Sequence, residues 1–104
     1  MYDMTKLKTR YFDIKLKNGR IINIEPPKMK VLKKISVLSE VKEEDLKEND
    51  IANLTEAVSL ALSKNRQGLK ITAEKVEEEY DIFELIDFLT AYFNWVNSIQ
   101  ESKN

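Results

Sequence analysis

Neither cysteine nor histidine occurs in this chain. Without cysteine there is no disulfide framework, no thiolate nucleophile and no cysteine-based zinc site. Without histidine, the side chain most used for proton transfer near neutral pH and the commonest transition-metal ligand is gone. Serine–histidine and cysteine–histidine hydrolases are therefore excluded. Glycine is nearly as scarce, Gly19 and Gly68 being the only two, so no glycine-rich loop cradles a phosphate. Carboxylate, hydroxyl and lysine chemistry remain, and no pair of such residues is placed for it. The expectation is a protein that is not an enzyme and that holds no cofactor and no metal. Long apolar runs are missing too: no segment approaches the roughly 18 to 20 residues that span a bilayer, and Met1–Arg10 has no apolar stretch of signal-peptide length. A cytoplasmic location with no membrane contact is expected.

What is present is 104 residues, 42% apolar and 34% charged, a balance that supports one core inside a heavily solvated surface. The net charge of −1 is unevenly spread. Residues 1–34 carry ten Lys/Arg against Asp3, Asp13 and Glu25, a net +7, which leaves seven against fifteen, −8, for residues 35–104. A chain polarised in this way can stack head to tail.

Residues 11–16 alternate in period two, Lys17-Asn18-Gly19-Arg20 supplies a turn, and Ile21–Ile24 resumes the strand pattern. A two-residue Asn18-Gly19 turn would put Ile22 and Ile24 on the face opposite Phe12, Ile14 and Leu16. A three-residue loop of Lys17, Asn18 and Gly19, with Gly19 in the left-handed region, gathers all five on one face, and is the preferred register because that face can dock on helices. Pro26-Pro27 ends the second strand and opens a helix, since a proline in the first helical turn loses no hydrogen bond. Val31, Leu32, Ile35 and Leu38 then recur at helical spacing among lysines. Residues 40–50 are mostly charged and read as a loop or one loose turn. Asn49 or Asp50 is the expected cap of the next helix, whose apolar set is Ile51, Leu54, Val58, Ala61 and Leu62. Thr72 caps a short acidic helix, with Ile71 and Val76 placed to meet across its start, and Asp81 with Glu84 forms a capping box for the last one.

The fold class expected is α+β: an N-terminal β-hairpin packed against a bundle of about four helices. Residues 1–10 form a flexible segment, and 11–99 a single globular domain with the hairpin at 11–24 and helices at about 28–38, 50–64, 73–79 and 82–99. Residues 100–104 form a tail.

The last helix carries more apolar surface than one small core requires. At about 100° per residue, Ile82, Leu85, Ile86, Leu89, Phe93 and Val96 form one stripe, and Phe88, Tyr92, Trp95 and Ile99 a second beside it. The first is enough to dock on the hairpin and the helix before it. The second either completes the core, with the polar atoms of Tyr92 and Trp95 at its rim, or is a contact face for another chain. Phe88, Tyr92, Trp95 and Ile99 are thus the candidate protein-binding residues. Glu77, Glu78, Glu79 and Asp81 lack the alternating oxygens and glycine turn of a calcium loop and read as a solvated acidic face. The basic N-terminal third offers an alternative function, a small nucleic-acid-binding regulator in which Tyr11 and Phe12 stack on bases beside Lys6, Lys8, Arg10, Lys15, Lys17 and Arg20. Against it stand a slightly acidic chain and only three arginines, since nucleic-acid domains are basic overall and favour arginine. Lysines guarding a strand edge are the simpler account.

Taken in order, several features resemble the tail assembly chaperones of long-tailed bacteriophages and prophages of Gram-positive bacteria. They are the hairpin Phe12–Ile24 with its Asn-Gly turn, Pro26-Pro27 before a helix, the acidic middle, Leu62-Ser63-Lys64-Asn65, and Tyr80-Asp81-Ile82-Phe83-Glu84-Leu85 running into Ala91-Tyr92-Phe93-Asn94-Trp95. The likeness covers about residues 10–100. It implies a protein that coats the tape measure protein, keeps it soluble and recruits tail tube subunits. It also implies self-association, action in the host cytoplasm and absence from the mature virion. The resemblance carries no residue-level site with it.

Overall fold

The computed structural model describes residues 10–38 and 47–101, apart from the side chains of Glu48, Asn49, Ile99, Gln100 and Glu101. The expected N-terminal segment, up to residue 9, and most of the expected loop, residues 39–46, lie outside the described residues, as do residues 102–104. Among the described residues the architecture is α+β: a two-stranded antiparallel hairpin packed against four helices.

Strand β1 (Phe12–Lys15) pairs with β2 (Ile21–Ile24) in the register Phe12 to Ile24 and Ile14 to Ile22. The loop between them has three residues: Gly19 stands at φ +88°, its N–H donates to the Leu16 carbonyl, and Leu16 N–H donates to Arg20. Glycine is needed there because a β-carbon at positive φ collides with the neighbouring peptide. This register puts Phe12, Ile14, Leu16, Ile22 and Ile24 on one face against the core, Ile22 and Ile24 being fully buried.

Helix α1 (Met29–Leu38) turns Ile35 inward, with Val31, Leu32 and Leu38 half-buried around it. Helix α2 (Glu48–Ser63) begins two residues before the expected start. Asp50 is not its cap; it lies inside the first turn, where its carboxylate accepts from the Lys47 backbone N–H at 3.1 Å. Leu54, Ala57, Val58, Ala61 and Leu62 form the buried face of α2, whereas Ile51, expected among them, is exposed. Helix α2 is the hub on which α1, α3, α4 and β2 all pack. Helix α3 (Ala73–Glu79) starts at Thr72, whose hydroxyl accepts from Lys75 N–H at 3.2 Å, and both Ile71 and Val76 are buried across that start. Helix α4 (Ile82–Glu101) opens on the reciprocal pair expected of it. Glu84 N–H donates to Asp81 Oδ1 at 2.8 Å and Asp81 N–H to Glu84 Oε1 at 2.9 Å. It continues two residues beyond the expected end.

The α2–α3 connection is built on Asn65, a buried polar residue. Its Nδ2 donates to the carbonyls of Leu62 and Leu69, both at 2.8 Å, and its Oδ1 accepts from Leu69 N–H at 2.9 Å. Ser63 reinforces the crossing, its hydroxyl accepting from Ile71 N–H and donating to Ile71 O, each at 2.9 Å. The connection then lies along β2, with Ile24 bridged to Asn65 and Arg66 N–H donating to the Asn23 carbonyl. Backbone groups that would be orphaned in a buried loop are thereby satisfied.

Candidate protein-binding surface

The second stripe of α4 is covered in part by the chain's own hairpin. Tyr92 is 0% exposed, and Phe88 and Trp95 are half-buried; Ile99 lies within α4, but its side chain is outside the described residues. The cover is the hairpin. Phe12 stacks on Trp95 with centroids 5.4 Å apart and 18° between planes, stacks on Phe88 at 6.3 Å, and meets Tyr92 at 6.4 Å. Tyr92 in turn lies 5.7 Å from Phe88, 5.8 Å from Trp95 and edge-on to Phe93 at 6.5 Å. Of the two readings of this stripe, Tyr92 takes the first: its ring completes the core. A hairpin of this register presents an aromatic ring that must itself be buried, and aromatic pairs add roughly 0.5–1.5 kcal/mol beyond area alone. Burial also raises the Tyr92 phenol above the ordinary tyrosine range, and its hydroxyl has no hydrogen-bond partner among the described residues.

Other apolar side chains are exposed, among them Ile21 at the start of β2 and Leu60 on α2. Met29 and Val37, 64% and 68% exposed, stand on the outer face of α1 among Lys30, Lys33 and Lys34. Phe83, 60% exposed, stands on the first turn of α4, just after the exposed carboxylates Glu77, Glu78, Glu79 and Asp81. Spacing contained the signal for both. Val37 is two residues past buried Ile35, and Phe83 two residues before buried Leu85; an offset of two on a helix is about 200°, the opposite face.

Lys17, at the hairpin turn, reaches α4. Its Nζ donates to Glu84 Oε1 at 2.8 Å and to the Glu79 carbonyl at 2.7 Å, and lies 5.0 Å from the centre of the Tyr80 ring. The hydrogen bond to Glu84 raises the Lys17 ammonium above its usual range, and the same bond is the first cause of the lowered Glu84 carboxyl. The pair's contribution is thus complete between about pH 4.5 and pH 10, the ordinary ranges of the two groups. It is lost as pH falls through the depressed Glu84 value or rises through the elevated Lys17 value. On acidification from about pH 5 to pH 3, the wild-type melting midpoint should fall further than that of Glu84→Gln, which keeps the cap but has no charge to lose. Equal slopes would show that the pair holds nothing.

Among the described residues no cluster of three or more Asp or Glu side chains is arranged to hold a metal ion, and no helix is long and apolar enough to cross a membrane. What the described surface presents is exposed apolar side chains set among charged ones. Comparisons of this chain with protein-family models, with curated proteins and with solved structures find no match.

Proposed function

We propose that this chain is a tail assembly chaperone of a long-tailed bacteriophage or prophage, a non-catalytic protein that binds the tape measure protein and recruits tail tube subunits. It acts in the cytoplasm of the bacterial host and is absent from the mature virion. The sequence resemblance supplies the identity of the client. The observation that carries the protein-binding part is the exposure of Met29, Val37 and Phe83 in strongly charged surroundings. Small apolar contacts in a soluble background suit a chaperone that must cover an apolar client and later let it go. The two patches are also complementary in charge, lysines around Met29 and Val37 and carboxylates before Phe83, which supports head-to-tail self-association.

The nucleic-acid alternative has less to support it: Phe12 is stacked against the α4 aromatics rather than open to a base, while Tyr11, Lys15, Lys17 and Arg20 stay on the surface.

Co-expression with a tape measure protein tests the proposal. The expected result is a client that stays soluble and co-purifies with this chain, and a chain alone that sediments as growing oligomers with concentration and less so at high salt. Combined Met29→Ser and Val37→Ser should weaken both by about tenfold or more while leaving the melting midpoint within a few degrees, because exposed positions contribute little to folding. A strict monomer that leaves the client insoluble would overturn it.

A further inference from the structure

The two strands of the hairpin are held in very different ways. The outer edge of β2 is closed by the α2–α3 connection: Ile24 bridges Asn65, Glu25 N–H donates to Lys64 O at 2.8 Å, and Arg66 N–H to Asn23 O at 2.9 Å. The Asn23 backbone N–H donates to Gln67 Oε1 at 3.0 Å, and Gln67 Nε2 returns a bond to Asn23 Oδ1 at 2.6 Å. Both inward side chains of β2, Ile22 and Ile24, are fully buried. Removing β2 would dismantle the core.

Among the described residues β1 is the edge strand, and its inward side chains Phe12 and Ile14, with Leu16 just after it, are only half-buried. Beneath it, between the hairpin and helices α2 and α4, runs an open seam of about 370 Å³ lined by Ile14, Leu16, Val58, Leu62, Tyr80 and Phe88. Beyond its ladder to β2 and the packing of Phe12, Ile14 and Leu16 on the core, the ties of β1 and its flanks include exposed side-chain pairs. Among them are Lys17 with Glu84 and with the Glu79 carbonyl, Asp13 with Asn23, and Tyr11 beside Arg66. Pairs of this kind are weak in water, and an isolated two-stranded hairpin is marginal. If β1 lifts away, β2 keeps its other edge and its core side chains, and a row of ladder groups opens beside Phe88 and Trp95.

We propose that β1 is the resident occupant of a strand-binding slot formed by β2 and α4, and that an extended segment of a partner chain exchanges into it. The resident defines the chemistry of the replacement. It runs antiparallel to β2, carries an aromatic side chain where Phe12 lies between Phe88 and Trp95, and has large apolar side chains at the second and fourth positions after it, over the partly filled seam. Backbone bonds to β2 supply the attachment and the alternate side chains the selection, the mode of strand addition at a sheet edge. The inference deepens the protein-binding reading and rests on it for purpose, since a slot occupied by the chain's own strand withholds the α4 aromatics until a client competes for them.

The test uses a synthetic peptide of residues 10–17 added to the full chain, with Trp95, the single tryptophan, as reporter. Phe12→Ala vacates the aromatic position, so this variant should take up the peptide, shift Trp95 emission and gain thermal stability. The wild type should bind at least about tenfold more weakly, because the resident strand must leave first. A peptide with alanine in place of its phenylalanine should do neither. Wild-type amide exchange is the second measurement, which stands even where Phe12→Ala does not fold. The β1 amides should exchange at least about tenfold faster than the Glu25 and Arg66 amides that seal β2. A disulfide through Asp13→Cys and Asn23→Cys, a directly opposed pair, should abolish peptide uptake. Trp95 emission unmoved by millimolar peptide in Phe12→Ala, or β1 amides that open only with the whole fold, overturns the slot. Client capture undiminished by the disulfide would also overturn the slot and leave the chaperone proposal standing, whereas peptide uptake by a chain that captures no client keeps the slot and removes that client.

Discussion

Replacing Tyr92 with alanine should lower the stability of this protein by roughly 3–5 kcal/mol, the usual cost of emptying a large buried aromatic site. Small domains are stable by about 5–15 kcal/mol, so the substitution removes a large share and should drop the melting midpoint by on the order of 20 °C. The ring sits where α4 meets Phe12, Phe88, Phe93 and Trp95. Its loss leaves a void beside all four, and those rings are attached to two different elements that cannot both collapse into it. Tyr92→Phe separates ring from hydroxyl. The hydroxyl is buried without a partner among the described residues, and an unsatisfied buried hydroxyl costs about 1–3 kcal/mol. Phenylalanine should therefore be neutral or stabilising at neutral pH. The raised phenol adds a second test: its contribution is full below about pH 10 and is lost as pH rises through the folded value. Tyr92→Phe should hence lose less stability in alkali than the wild type. Denaturant midpoints at neutral and alkaline pH measure both effects, and a Tyr92→Phe loss equal to that of alanine would show that the hydroxyl, not the ring, is what the core requires.

The second large effect belongs to Asn65. Alanine there removes both donors and the acceptor that satisfy the backbone of Leu62 and Leu69, leaving buried carbonyl and N–H groups without partners. The expected cost is roughly 2–4 kcal/mol, more than for an exposed turn asparagine, since the penalty is the desolvation of the stranded groups. Asn65→Asp should cost a comparable amount, because it keeps the acceptor but loses the donors and buries a charge. Because the same residue bridges Ile24, amide protection along the β2 edge should fall with it. A denaturant midpoint unchanged by either substitution would mean that the connection is held by its other bonds, chiefly those of Ser63 to Ile71.

These residues mark where reading the chain alone stops. Thr72 and Asp81 were recognisable as helix starts because a cap bonds to an N–H three residues away, and the hairpin register followed from which loop length keeps five apolar side chains on one face. Asp50 shows the limit of that reading: it sits in the first turn of α2 and bonds back to Lys47, and a carboxylate near a helix start suits either position. Asn65 was legible only as a break in the helical pattern. Its two roles depend on Leu69 and on a strand some forty residues earlier, and nothing in its neighbours announces them.

The order of elements, the caps of α3 and α4 and most of the inward face of each element were determined by the sequence itself, because these features arise from interactions spanning about four residues or from a simple period. The sequence also determined that α4 carries two apolar stripes. Whether the second is covered was decided only in three dimensions. Burial depends on what comes to lie over a surface, and the ring that covers Phe88, Tyr92 and Trp95 is Phe12, brought there from the far end of the chain by the docking of a hairpin. A stripe meant for the core and one meant for a partner have the same composition, so only the long-range pairing tells them apart. That pairing lays β1 over the α4 aromatics and leaves Met29, Val37 and Phe83 among the apolar side chains in water.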